Sequence, residues 1–266
     1  MTTTRPKTLR EFDGMDSAPA VLARSALVLI DCQNTYRSGP LQLEGVEAAL
    51  ESAGRLLERA RALGTPVVHI QQDGAADSLF DVRGTSGAIA EAVAPRADEI
   101  VIVKQYPNSL VDTALHEHLQ RLGVSDLVLA GFMTHMCVSS TARGAFNLGY
   151  RPTVVASATA TRALPGANDS VIPAALVHAA SLAALRDLFA VVVEHVDALR
   201  IAGYVLGALL LWFVDLSWLS FFLIAVLVAA WQVVVAQLAT RGAARAEAAA
   251  GGGDDAGPTD GEPAPA

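Results

Sequence analysis

Six short apolar runs, separated by stretches of helical periodicity, restrict this chain to a narrow set of folds. The runs are Ala26–Ile30, Pro66–Ile70, Ile100–Val103, Leu127–Ala130, Thr153–Ala156 and Ala190–Val193. They are too short for helices and do not alternate polar with apolar, so they read as strands covered on both faces. Between them Gly45–Leu63, Leu110–Leu122, Val138–Leu148 and Ala174–Leu188 read as helices; the first stops at Gly64 and the second at Gly123. This alternation builds βαβ units and predicts an α/β fold: a doubly wound, mostly parallel sheet with helices on both faces. Gln71–Asp98 is Gly-rich and aperiodic. A loop of that length is usually functional or mobile.

The length of 266 residues suffices for one sizeable domain and an appendage. The expected division is an N-terminal extension over 1–19, an α/β domain over 20–198, an apolar helical hairpin over 199–241 and an acidic Gly/Pro/Ala tail over 242–266. The tail is too poor in apolar residues to bury a core and reads as disordered. A net charge of −8 argues against a nucleic-acid partner. Two cysteines, Cys32 and Cys137, provide no disulfide framework and suggest a reducing compartment. Met1–Ser17 has no apolar core and does not read as a signal peptide.

In open α/β sheets ligands bind beyond the carboxyl ends of the strands, where strand order reverses. Asp31, Lys104 and Cys137 each follow a strand end. Cys137 also precedes a helical stretch, and a helix N-terminus favours thiolate, the nucleophilic form. Asp31 can exchange a proton with the thiol and a leaving amine, and Lys104 can hold the two anions together. Backbone N–H groups of the turn can receive an oxyanion. Taken singly, each residue also fits a plainer role: a core cysteine, a turn cap and a solvated loop charge.

At these residues the chain resembles the isochorismatase-like cysteine hydrolase family. The matching stretches are Leu27–Asn34, Val103–Ser109, Gly131–Arg143 and Gly149–Val155, spread over Ala20–Val196 in the family's order. The signature is Gly-x-x-Thr-x-x-Cys-Val-x-x-Thr-Ala with an upstream Asp-x-Gln-Asn and a lysine. The resemblance implies a six-stranded sheet of order 3-2-1-4-5-6 and a triad of Asp31, Lys104 and Cys137. It also implies oxyanion donors at the N–H groups of Met133 and Cys137, and a cis peptide at Phe132–Met133. In that order Lys104 leaves a strand two places from Asp31, so its side chain must reach back across the sheet.

Departures from the family narrow the reading. Metal-dependent nicotinamidases carry an Asp-x-His motif after the first strand. Here Tyr36–Pro40 holds no histidine. His69, His116 and His118 read as surface or core residues, so neither metal nor cofactor is expected. Cys32 points to the face opposite Asp31 and reads as core. Gln33, Tyr36, Tyr106, Asn108, Thr134 and His135 lie near the strand ends as candidate substrate contacts, and Arg83 is a candidate carboxylate binder.

Residues 201–240 contain one charge, Asp215. About forty residues of straight helix would span about 60 Å, twice a bilayer core. They read instead as a hairpin turning at Asp215–Ser220, flanked by Trp212 and Trp218. Arg200, Arg241 and Arg245 place both ends in the cytoplasm by the positive-inside rule. The alternatives are a re-entrant hairpin or helices packed on protein.

The expectation is therefore a membrane-anchored, cytoplasm-facing cysteine hydrolase of a small amide, and a homo-oligomer as its relatives commonly are. Two other readings stand beside it. One is a non-catalytic module binding a metabolite or protein at the membrane; the other is a vinyl-ether hydrolase that does not need the cysteine.

Overall fold

The computed structural model describes residues 5–200 and Trp231. Six strands form one parallel sheet: β1 (Ser25–Ile30), β2 (Val67–Gln72), β3 (Ile100–Lys104), β4 (Asp126–Phe132), β5 (Arg151–Ala160) and β6 (Val191–Val193). Their spatial order is β3-β2-β1-β4-β5-β6, as the resemblance implies. The winding reverses between β1 and β4, which are neighbours.

Helices cover both faces. They are α1 (Leu9–Phe12), α2 (Val46–Ala62), α3 (Leu115–Leu122), α4 (Ser139–Asn147) and α5 (Ala174–Ala184). Helix α2 buries Val46, Ala49, Leu50, Ala53, Leu56, Leu57 and Ala60, an i, i+3, i+4 stripe, against Leu27 and Leu29 of β1. On the other face α3 and α4 pack Leu115, Leu119, Ala142 and Ala145 against Ala26, Val28 and Ile30. Strand β1 is buried along its whole length, which explains its unbroken apolar run.

Several boundaries differ from those expected, for local reasons. Helix α3 starts at Leu115 rather than Leu110. Asp112 takes a left-handed φ of 51°, and the Thr113 hydroxyl donates to the Ser109 carbonyl, so the backbone cannot run helically before it. The expected helix Val138–Leu148 is preceded by a π turn over Thr134–Val138, and α5 passes into a second π turn at Leu185–Phe189. The stretch after β2 is pinned beside the β1 exit: Asn34 and Thr35 donate to the carbonyls of Ala88 and Ser86, and Ala90 donates to that of Cys32. The N-terminal extension docks on the domain. Buried Arg10 donates to the Leu188 carbonyl, and the Leu9 N–H donates to Asp187.

Gly131 sets the closeness of β1 and β4 at the switch point. Its φ is +116°, and a Cβ there would lie 2.0 Å from the Ile30 carbonyl oxygen. A Gly131→Ala variant is expected to lose several kcal/mol, roughly half of a typical domain's stability, because backbone rather than a flexible side chain must yield. Urea titration checks this; a midpoint within error of wild type would contradict it.

No helix among the described residues is long and apolar enough to cross a membrane. The hairpin expected over 199–241 and the tail over 242–266 lie outside the described residues, apart from Leu199, Arg200 and Trp231.

Candidate active site

Three strand ends converge at the switch point. Asp31 follows β1 directly, in a left-handed conformation of φ 49° that turns the chain out of the sheet. Ile30 is in register with Gly131, so Asp31 stands beside the β4 exit, and the π turn there carries Cys137. Lys104 closes β3, in register with Gln72 at the end of β2. Its side chain does reach back: Nζ lies 2.8 Å from Asp31 Oδ2, 3.4 Å from Cys137 Sγ and 2.7 Å from Gln72 Oε1. An ammonium has three N–H donors, and here it meets three acceptors. Asp31, Lys104 and Cys137 are all buried.

The π turn bears on where backbone donors point. The Met133 carbonyl accepts from Met136 and Val138 and passes over the N–H of Cys137. The Phe132–Met133 peptide is cis.

The electrostatics differ from the sequence expectation of a thiol lowered by a helix N-terminus. Burial pushes the Cys137 thiol up to about 12; the Asp31 charge adds to this, and Lys104 opposes it. Burial likewise raises Asp31, against the pull of Lys104. Cys137 sits within a π turn, out of water and next to a carboxylate, and these outweigh a helix end. Two groups that each resist ionisation lie beside the same ammonium. Asp31 Oδ2 faces the Lys104 ammonium at 2.8 Å, and the Cys137 thiol and the Gln72 backbone also lie beside the carboxyl.

The remaining candidates separate. Gln33 is fully buried, and its amide is committed: Oε1 accepts from the Gln72 N–H, and Nε2 donates to the carbonyls of Gln72 and Gly87. It props the residue that holds Lys104 rather than facing a ligand. Tyr36 is buried between Phe80 and Phe132, edge to face with both. Asn108 accepts from the Leu110 N–H and packs its amide on Gly144 of α4. Tyr106 is 49% exposed. Thr134 Oγ1 is hydrogen-bonded to His178 Nδ1, and His135 Nδ1 to Thr161 Oγ1. Arg83 is paired through Nε with Asp81 on an exposed loop. His69 bonds Glu99, which holds Arg61; His116 bonds the Tyr150 hydroxyl; Cys32 lies in the core on the α2 side.

Two residues that the sequence did not single out belong here. Gln72 orients Lys104, and extending β2 by its alternation would have placed it. Arg162, just beyond β5, acts electrostatically on both Tyr36 and His135. Its buried Nε has no hydrogen-bond partner, and among the described residues no carboxylate pairs with it. Nothing in the local sequence marks it out. Among the described residues no group of three or more His, Cys, Asp or Glu is placed to hold a metal ion.

A buried thiol, carboxylate and ammonium at the switch point of a doubly wound sheet define an isochorismatase-like cysteine hydrolase. The isochorismatase domain matches residues 25–197, and the chain belongs to that family. A crystal structure of an isochorismatase from Pseudomonas putida KT2440 superposes with a TM-score of 0.71 at 42% identity, covering 73% of this chain and 100% of that one. An uncharacterized isochorismatase family protein of Bacillus subtilis, YddQ, is 40% identical over 63% of this chain and 94% of its own. The maleamate amidohydrolase of Pseudomonas putida is 38% identical over 50% of this chain and 70% of its own.

Proposed function

We propose that this enzyme hydrolyses a small amide bearing an acid group, through a thioester on Cys137. The observation that carries the reading is the Lys104 ammonium held between Asp31 and Cys137 with all three side chains buried. The Cys137 proton passes to Asp31 as sulfur attacks the carbonyl carbon, and Lys104 balances the remaining charge. The tetrahedral oxyanion faces the N–H groups of Met133 and Cys137. Collapse breaks the C–N bond, and Asp31 returns its proton to the leaving amine. Water then attacks the thioester while Asp31 takes its proton, and the thiol is restored as the acid departs. A vinyl-ether reaction has no need of a nucleophilic sulfur, and a silent binding module has no need of this buried charge set.

Arg162 supports the acid group. A half-buried guanidinium near the nucleophile's turn, with no carboxylate partner among the described residues, suits an anionic substituent. Maleamate, named in the Pseudomonas relative, is an amide of that kind. The test is a screen of dicarboxylic monoamides against neutral amides, ureas and lactams. Arg162→Met is expected to raise KM for the monoamides by roughly 10- to 100-fold, the value of a charged hydrogen bond, and to leave neutral amides unchanged. Equal loss on both classes would remove Arg162 from substrate recognition.

Residues 201–240 support a membrane tether by composition alone, with one charge in the whole stretch. The full chain is expected to stay in the pellet after a carbonate wash; release into the supernatant would contradict insertion.

A further inference from the structure

We propose that His178 is a positioning residue for the reaction, acting on the nucleophile's turn through the Thr134 hydroxyl. The inference rests on the reading of Cys137 as nucleophile. Thr134 is the first residue of the π turn and is fully buried. It lies between the two expected oxyanion donors, Met133 and Cys137. Its hydroxyl is bonded to His178 Nδ1 at 3.0 Å, across 44 residues of chain. His178 belongs to α5, so the bond ties an outer helix to the turn.

The rest of the turn's surroundings make this bond consequential. The turn's own backbone bonds fall on the carbonyls of Met133, Thr134 and Met136, and none of them holds the Thr134 side chain. The second side-chain tie, His135 to Thr161, comes from the neighbouring residue. Both His178 and Thr161 line a cavity of about 590 Å³ between α2, the end of β5 and the start of α5. None of the three triad residues lines it. The ring of His178 therefore has the turn on one side and open space on the other, and its hydrogen bond ties the buried Thr134 side chain to α5. Small displacements of oxyanion donors are costly to rate and have little effect on ground-state binding.

The variants His178→Ala, His178→Asn, His178→Gln, Thr134→Val and the double His178→Ala/Thr134→Val are compared with wild type. Hydrogen exchange of the peptide spanning 131–143 needs no substrate, and maleamate serves as the probe amide for kcat and KM. His178→Ala is expected to speed exchange at 133–138 and to lower kcat by about 10- to 100-fold, with KM little changed. His178→Asn places an amide where Nδ1 stands and is expected to restore both; His178→Gln reaches the other ring position and is not. The double variant is expected to be no worse than either single one. Unchanged exchange in His178→Ala, or a double variant whose losses add, would overturn the proposal. A wild-type enzyme inert toward maleamate would count against the substrate reading alone, because exchange still decides the role of His178.

Discussion

Replacing Cys137 with alanine is expected to lower amide turnover by at least about 10⁴-fold, the scale on which a nucleophile's removal acts. The fold should survive, because the side chain is small and the change removes only one sulfur from a buried position. A second readout separates this variant from a general defect. The thiol is held up to about 12 in the folded state against an ordinary value of 9.0. The unfolded chain therefore releases this proton first, and the folded state loses stability as pH rises above about 9. Between pH 9 and 10.5 a single such group accounts for about 2 kcal/mol. Thermal unfolding across that range should fall more gently in Cys137→Ala than in wild type. Identical slopes would mean that the thiol is not shielded as the structure places it.

Lys104→Met should combine the second-largest loss of turnover, on the order of 10³-fold or more, with the largest loss of stability from a single side-chain change in the site. Asp31 and Lys104 form an ion pair with no exposed surface on either side chain. Removing one partner of such a pair costs about 3–5 kcal/mol, because the other charge stays buried alone. In a domain of this size that is roughly 10 °C in Tm. Asp31 has a means of relief: burial already raises it, and without Lys104 the largest opposing influence is gone. A carboxyl raised in the folded state stabilises the protein below its unfolded value near 4 and loses that contribution as pH rises. The deficit of Lys104→Met should therefore shrink from pH 8 toward pH 5. The double variant Asp31→Asn/Lys104→Met should regain much of the Tm and remain inactive. A double variant less stable than Lys104→Met would contradict the pairing.

The six strands and the place of Asp31, Lys104 and Cys137 after strand ends are legible in the amino-acid sequence for a physical reason, whereas the strand order is what the family resemblance implies. Strands buried on both faces must be apolar throughout, so the first polar residue after each run marks a strand's carboxyl end. In a parallel sheet those ends lie on one side. The state of the thiol is not legible there, because it depends on burial and on a carboxylate 106 positions earlier in the chain. Gln33 illustrates the same limit. Its place beside Asp31 suggests a ligand contact, while its amide is spent on the Gln72 backbone and on Gly87. Conversely, Arg162 and His178 carry no local signal. One stands out only because no partner among the described residues meets its buried Nε, the other only because α5 folds back on the turn.

In the proposed reaction Cys137 carries the acyl group during turnover. Mass spectrometry of peptides from an acid-quenched reaction with a hydrolysed amide tests it most directly. The expected result is a mass increase equal to the substrate's acyl portion on the peptide holding Cys137, absent from the peptide holding Cys32 and absent in Cys137→Ala. Undiminished turnover in Cys137→Ala, with no acyl mass on Cys137 in wild type, would contradict it.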